Sequence, residues 1–528
     1  NVVKKFIEEA SQKGVDVFRI FDSLNWVENM KMPIETALKT GKIVEGTICY
    51  TGDITDPNET KYTLDYYVKK AKELESLGVH IFTIKDMAGL VKPYAAKKLI
   101  SALKEELNIP VNLHTHDSTG NGVSTLLMAS EAGLDIADCA IGSMSSMTSN
   151  PCMNSLVEAL KGTERDTGLN PDELTELSQY YARIRPIYKQ FESGMDAPNT
   201  EIYKYEIPGG QYSNLLAQVK EMGAAEDFEE IKGLYKDANQ LLGNIVKVTP
   251  SSKVVGDFAI FMFKNGLTKE NILEVGKDLS YPDSVVEYFE GMIGQPEGGF
   301  PEELQKIVLK DKKPIDVRPG SLLPDEDFDY IAKGLKENFY TENMEDPDIL
   351  SQKTLSYALY PKVYEDYCRH FEAYNDVTGL ESHVYFYGLR KGEETTLKLD
   401  EGKYLIIKFI DMTEPDEDGY RLLDFEVNGS IREIKVLDKN LEVKTDRRVK
   451  ADKSNPAHLG STIPGTVGKV LVNEGDEVTV NMPLMTVEAM KMETTVVSTV
   501  NGKVDKIYVK EGEQVNQEDL LISFEIDE

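Results

Sequence analysis

The sequence predicts a multidomain chain that opens as an α/β fold with parallel strands and closes in a small all-β domain. Three observations carry that reading. Short β-branched runs alternate with amphipathic stretches through residues 1–163, helical spacing of apolar residues dominates 164–375, and the segment 459–528 contains a repeat of itself. With 528 residues, 41% apolar and 28% charged, the chain has material for several cores.

The β-branched runs Val15–Phe21, Val44–Cys49, Val79–Ile84, Val111–Leu113 and Ile136–Ile141 begin 29, 35, 32 and 25 residues apart. Between them, Leu64–Leu77 and Tyr94–Leu107 place apolar residues on one helical face. A βα period near 30 residues implies parallel strands with crossover helices, in a doubly wound sheet or a (β/α)8 barrel. Five units are visible where a closed barrel has eight. The chain starts Asn1-Val-Val-Lys, without Met, and enters a helical pattern at once. It therefore reads as a piece of something longer, with about three further units expected upstream if the fold is a barrel.

Residues 164–375 form a helical extension, with periodic stretches at Asp172–Phe191, Ser213–Met222, Phe228–Leu242 and Lys269–Gly276 broken by Gly and Pro. In 376–445 the period changes. His383–Tyr387, Thr396–Leu399, Tyr404–Phe409, Leu422–Val427 and Ile431–Val436 alternate as half-buried antiparallel strands do. Residues 446–458 are charged and aperiodic, a linker. In 459–528, Gly468-Lys-Val470 followed by Val472-Asn-Glu-Gly475-Asp-Glu-Val478 returns as Gly502-Lys-Val504 followed by Val509-Lys-Glu-Gly512-Glu-Gln-Val515. Two such halves predict a pseudo-twofold flattened β-barrel whose joining peptide is an exposed hairpin turn.

Composition excludes several function classes. The 59 Lys and Arg against 91 Asp and Glu leave a net charge of −32, a surface that repels nucleic acid and anionic membranes. No apolar run reaches the ~18 residues of a membrane span, and no signal or transit segment opens the chain. Cys49, Cys139, Cys152 and Cys368 are scattered without CxxC spacing, which argues against a disulfide framework and for a reducing, cytoplasmic setting. No phosphate-cradling GxxxxGK[ST] string is present, so ATP is not expected to bind here.

Three constellations suggest chemistry. Ala489-Met490-Lys491-Met492 stands at the junction of the two half-barrels, where Lys491 would occupy the hairpin tip as acceptor for a carried prosthetic group. Ile84-Lys85-Asp86 ends one strand and Leu113-His114-Thr115-His116-Asp117 the next, on the edge that forms the active face of parallel βα folds. His114 and His116 are two apart, so a strand directs both imidazoles to one side, and two imidazoles with oxygen donors suit Zn²⁺ or Mn²⁺. Thr249 precedes Pro250 in Val248-Thr-Pro-Ser-Ser252, where its hydroxyl can cap a helix and can both donate and accept a hydrogen bond. Arg19 and Asp22, at a strand end on the same edge, either touch the site or form a mutual ion pair.

The Ala489–Met492 string resembles the modification motif of the biotinyl carrier domain in biotin-dependent carboxylases; lipoyl domains lack the two flanking methionines. Val17–Asn25, Cys49–Asp53, Ile84–Leu90, His114–Asp117 and Ser146–Ser149 resemble the carboxyltransferase barrel of the pyruvate carboxylase family. Ile207–Tyr212 and Val248–Asp257 resemble its helical extension, and the β-region from Tyr385 its tetramerisation domain.

The resemblance covers essentially the whole chain. It implies a TIM-type (β/α)8 barrel, N-terminally incomplete, with a helical extension, a small β-domain and an all-β biotinyl carrier. It implies biotin on Lys491, and a metal held by His114, His116 and a Lys85 carboxylated on its side-chain nitrogen, together with an Asp upstream of Asn1. Thr249 corresponds to the residue that moves the proton between pyruvate and biotin. The implied reaction is carboxyl transfer from carboxybiotin to pyruvate, giving oxaloacetate, with ATP and Mg²⁺ used at an upstream domain. The implied partners are a homotetramer and a biotin protein ligase, with acetyl-CoA or cyclic di-AMP as the effectors of some relatives. The α subunit of oxaloacetate decarboxylase and transcarboxylase subunits share the barrel motifs. The Cys49-Tyr-Thr-Gly-Asp53 string, Asp117 and the ordered β-region favour the carboxylase. A carrier and assembly module with an inert barrel is the reading from another class, and intact Lys85, His114, His116 and Thr249 argue against it.

Overall fold

The computed structural model describes residues 1–192, 195, 197–339, 341, 343–416, 419–438, 449–452, 455–489 and 492–526. They fall into two compact units, one of Asn1–Glu326, Ile463–Asn501 and Lys510–Asn516, the other of Asp327–Thr462, Gly502–Val509 and Gln517–Glu528. Among the described residues no helix is long and apolar enough to cross a membrane.

The first unit contains a five-stranded parallel sheet, β1 (Val17–Ile20), β2 (Ile43–Cys49), β3 (Ile81–Asp86), β4 (Val111–Thr115) and β5 (Ile136–Ala137), ordered β1-β2-β3-β4-β5. Each crossover is helical: Val27–Lys39, Leu64–Ser76, Pro93–Glu106 and Gly122–Glu131. The helix starts are written locally. The Thr63 hydroxyl accepts from Tyr66 N–H, and Pro93 opens its helix where no N–H is needed. Each strand divides its residues by parity. Val44, Ile48, Phe82, Ile84, Val111 and Leu113 are fully buried in the barrel's apolar core with Ala71, Leu74, Leu99 and Leu103 of the helices. The alternate positions are polar, and the register aligns them in rows: Arg19 beside Glu45, Thr47 beside Thr83 and Asn112, Lys85 beside His114.

The helical extension packs around Ser251–Lys264, whose Val255, Phe258, Ala259 and Met262 are fully buried with Tyr235, Tyr288 and Phe289. This unit also holds an antiparallel sheet that orders Met492–Val497, Pro483–Ala489, Gly465–Val470 and Gln514–Val515. There Ala489 stands opposite Met492; Met490 and Lys491 lie outside the described residues.

In the second unit, helices Phe328–Asn338 and Pro361–Tyr374 bury Leu335, Met344, Tyr364 and Cys368. A four-stranded antiparallel meander follows: Glu394–Asp400, Lys403–Met412, Tyr420–Val427 and Ser430–Leu437. Four of the five strands expected for 376–445 are these. The fifth, at His383–Tyr387, is a helix, Ser382–Tyr387. The aromatic run Val-Tyr-Phe-Tyr mimics strand composition, but Gly388, with φ +70°, closes a helical turn by donating its N–H to Val384 O. Strands His458–Gly460 and Gly502–Ile507 flank Leu520–Ile526. Backbone bonds between Val449 and Leu520 and between Ala451 and Glu518 tie the segment just before them to the same strand.

Candidate active site

The polar rows of the sheet end in the site. Lys85 is the penultimate residue of β3 and stands opposite His114 of β4, while His116 follows one residue past the strand end. The two imidazoles meet edge to face with ring centroids 5.2 Å apart, as the spacing of two on a strand predicts. Each has its Nδ1 occupied: His114 by Asp138 Oδ2 at 2.8 Å, His116 by the Thr148 carbonyl at 2.7 Å. Because both partners are acceptors, both Nδ1 atoms carry a proton, which in the neutral ring leaves the lone pair on Nε2. His114 Nε2 is buried and has no hydrogen-bond partner among the described residues. An unpartnered buried nitrogen with an available lone pair is costly alone and is what a metal ligand requires.

Electrostatics sharpen the arrangement. Burial, joined by His114 and Lys85, pushes the His116 imidazole down to about 4, which keeps it neutral. Burial also lowers the Lys85 pKa, and the Arg19 cation acts in the same direction. Lys85 makes no hydrogen bond or salt bridge to any described residue; its Nζ lies 5.1 Å from the Phe21 ring centroid. Burial opposes ionisation of Asp138, but hydrogen bonds from His114 and Arg19 and the Arg19 charge overcome it and hold this carboxyl well below the usual range. Asp138 Oδ2 is 2.5 Å from Arg19 Nη1, its Oδ1 accepts from Asn112 Nδ2 at 3.2 Å, and Arg19 Nε reaches Glu45 at 2.5 Å.

Arg19 therefore pairs with Glu45 and Asp138, not with Asp22. Asp22 instead accepts from the N–H groups of Leu24 and Trp26 and from Asn29, organising the turn after β1. Asp86 plays the same part after β3, where it accepts from Leu90 and Val91 N–H and from the Thr115 hydroxyl. Among the described residues no three His, Cys, Asp or Glu side chains gather at metal-binding spacing. The donor set is two imidazoles and an amine. The imidazoles are donors that a divalent metal such as Zn²⁺ or Mn²⁺ accepts, and the described residues supply only part of such a ligand set.

Thr249 lies elsewhere, in the segment between helices Phe228–Leu241 and Ser251–Lys264. Its side chain is exposed and bonds no described residue, and the following helix has Pro250 at its N-cap with no side-chain cap. The capping role thus falls away. Ser251 Oγ instead lies 2.7 and 2.6 Å from the carbonyls of Val246 and Val248 and 3.3 Å from that of Ser23, after β1. Val246 and Val248 are buried in the barrel core, so the Thr249 segment is docked on the barrel, with Ser251 against the turn after β1. Sequence reasoning missed Asp138, Thr148 and the Arg19–Glu45 pair. Asp138 directly follows β5, and strand ends were the available signal.

A parallel β/α fold with two imidazoles and a lysine at adjacent strand ends, in one chain with a helical extension and small antiparallel sheets, defines the architecture of a multidomain α/β-barrel enzyme. Comparison with known families agrees segment by segment: residues 8–180 match the HMGL-like family, 202–408 the conserved carboxylase domain, and 456–524 the biotin-requiring enzyme domain. The pyruvate carboxylase of Bacillus subtilis is 49% identical over 99% of this chain, and the mitochondrial pyruvate carboxylase of Homo sapiens 40% identical over 99%. The chain spans 45% and 44% of those two relatives. The solved carboxyl transferase domain of Rhizobium etli pyruvate carboxylase superposes with a TM-score of 0.78 at 43% identity, covering 83% of this chain and 73% of that structure. The complete multifunctional enzyme from the same organism gives 0.77 at 41% identity, over 99% of this chain and 48% of that one. The chain belongs to the pyruvate carboxylase family, and its first strands are part of a TIM-type barrel.

Proposed function

We propose that the chain performs the carboxyl-transfer half of a pyruvate carboxylase reaction, moving a carboxyl group from biotin to pyruvate to form oxaloacetate. The observation that supports it most is the pair of imidazoles with both Nδ1 atoms tied down and His114 Nε2 buried without a partner among the described residues, beside a lysine that forms no salt bridge with any of them. The Rhizobium etli domain, solved also with pyruvate and biocytin, gives the substrate class.

In this reading His114, His116 and a carboxylated Lys85 hold a divalent metal, Mn²⁺ or Zn²⁺, which would polarise the substrate's carbonyl oxygen. The lowered Lys85 pKa favours the neutral amine that carboxylation needs, and the modification turns a repelling cation into an anionic ligand. Lys491, within a carrier of residues 459–528, would hold biotin, which would supply the carboxyl group. The barrel part is 1–163, the helical extension 164–375, the tetramerisation domain 376–445 and the linker 446–458. A biotin protein ligase loads the carrier, the protein is a cytoplasmic homotetramer, and ATP is consumed at a site not formed by these residues.

Thr249 Oγ is both donor and acceptor. It takes a methyl proton from pyruvate as it gives its own to the nitrogen that has released the carboxyl group. Thr249→Val in the full-length gene product should slow carboxyl transfer by ~10²–10⁴-fold, the usual contribution of general acid–base catalysis, and Thr249→Ser far less. A folded Thr249→Val protein within twofold of the parent rate would overturn the assignment.

A further inference from the structure

An ion pair between a buried lysine and a half-buried glutamate lies just before Thr249. Lys247 Nζ is 2.6 Å from Glu206 Oε2 and 3.1 Å from Thr51 Oγ1, and the lysine side chain is 3% exposed. The three residues come from three segments. Thr51 follows β2, Glu206 follows the helical turn Ile202–Tyr205, and Lys247 belongs to the stretch that ends in Thr249. Thr51 Oγ1 also stands 3.4 Å from Glu206 Oε2, so the contacts close a triangle. Glu206 has φ +54°, in the left-handed region that residues with a side chain rarely adopt. Such a conformation persists only where the surroundings over-determine it, and the carboxylate's two partners do so here.

The rest of the segment is equally pinned. Lys61 Nζ donates to Gly243 O and the Tyr62 hydroxyl to Asn244 O, both at 2.7 Å. From Ile245 to Ser252, every residue but Thr249 and Pro250 is buried. A buried salt bridge is a poor way to gain stability, because an apolar replacement of similar volume usually does as well. What an ion pair adds is directional geometry. This one fixes a backbone two residues from an exposed, unbonded hydroxyl.

We propose that Glu206, Lys247 and Thr51 form a clamp that holds the Thr249 hydroxyl in position for proton transfer. They are positioning residues, and the inference rests on the reading of Thr249 given above. The clamp acts on the rate of the chemical step and leaves pyruvate binding alone.

The test uses the full-length, biotinylated gene product with Lys247→Met, Glu206→Gln and Thr51→Val, each alone and combined with Thr249→Val. Carboxyl transfer to pyruvate gives kcat and KM, and thermal unfolding gives stability. A displacement of about 1 Å costs on the order of 10²-fold, so kcat should fall by roughly that factor in Lys247→Met and Glu206→Gln while KM for pyruvate stays within about twofold. Each double variant should be no slower than Thr249→Val alone, because the clamp works through that hydroxyl. Should Lys247→Met not fold, Thr51→Val decides, since it leaves the ion pair intact and removes only its tie to β2. Multiplicative losses in the double variants, or single variants at the parent rate while Thr249→Val is slow, would overturn the clamp. A fast Thr249→Val protein would instead remove the reading on which it rests.

Discussion

Replacing Asp138 by Asn separates charge from shape at the candidate metal site. Asp138 receives three hydrogen bonds, from His114 Nδ1 at 2.8 Å, Arg19 Nη1 at 2.5 Å and Asn112 Nδ2 at 3.2 Å. An asparagine of the same outline keeps one acceptor oxygen, enough for His114 and Arg19, and turns an NH₂ towards Asn112. Asn112 Oδ1 is buried without a partner among the described residues, so a flip of that amide offers the new NH₂ an acceptor. Arg19 retains Glu45 at 2.5 Å. The fold should therefore survive, and the loss is the negative charge that makes His114 Nε2 a strong donor. Removing such an outer partner costs ~10–100-fold in metal affinity, or about 1.4–2.7 kcal/mol. Calorimetric titration with Zn²⁺ and with Mn²⁺ measures it directly, alongside the melting temperature. An affinity within threefold of the parent in a folded Asp138→Asn protein would refute the reasoning, because Asp138 would then not be tuning a ligand.

The same residue predicts an acid response. Its carboxyl is depressed in the fold, so its contribution to stability is present above the unfolded value of ~4 and is lost as pH falls towards the folded one; between about pH 4 and 2 the parent should lose more melting temperature than Asp138→Asn. Intact-mass analysis after co-expression with a biotin ligase should show one biotin, absent in Lys491→Arg; label retained in that variant would exclude Lys491. Light scattering should show the full-length protein as a tetramer and a variant lacking residues 376–445 as smaller species, and an unchanged mass in the deletion would count against an assembly role for the meander.

The strands were legible because β-branched runs of three to seven residues recur at the spacing a crossover helix imposes. The imidazole pair was legible because parity on a strand is strict. The polar rows were not seen, since a buried parallel strand normally reads as a nearly continuous apolar run and the eye counts Val44, Ile48 and Ile84 before Glu45, Thr47 and Thr83. Asp138 follows a strand of two residues, too short to show a period. His383–Tyr387 failed for the opposite reason. Five residues of high strand propensity carry little weight against one glycine that ends a helix. The Glu206–Lys247 pair spans 41 positions and joins two loops, where no pattern reports contact.

The parity of the parallel sheet has a consequence for how such a protein can change. Each strand offers two interleaved sets of positions, one facing the helices and one facing the site, and no residue belongs to both. Drift at Val44, Phe82 or Val111 acts on how firmly the scaffold stands, while drift at Arg19, Glu45, Thr47 or Asn112 alters the surroundings of the His114 lone pair. A lineage can thus explore new chemistry on this sheet without first acquiring a sturdier framework. Thr47, whose Oγ1 is buried without a hydrogen-bond partner among the described residues, is where that exploration meets least resistance, since a new side chain there breaks no existing bond to that atom.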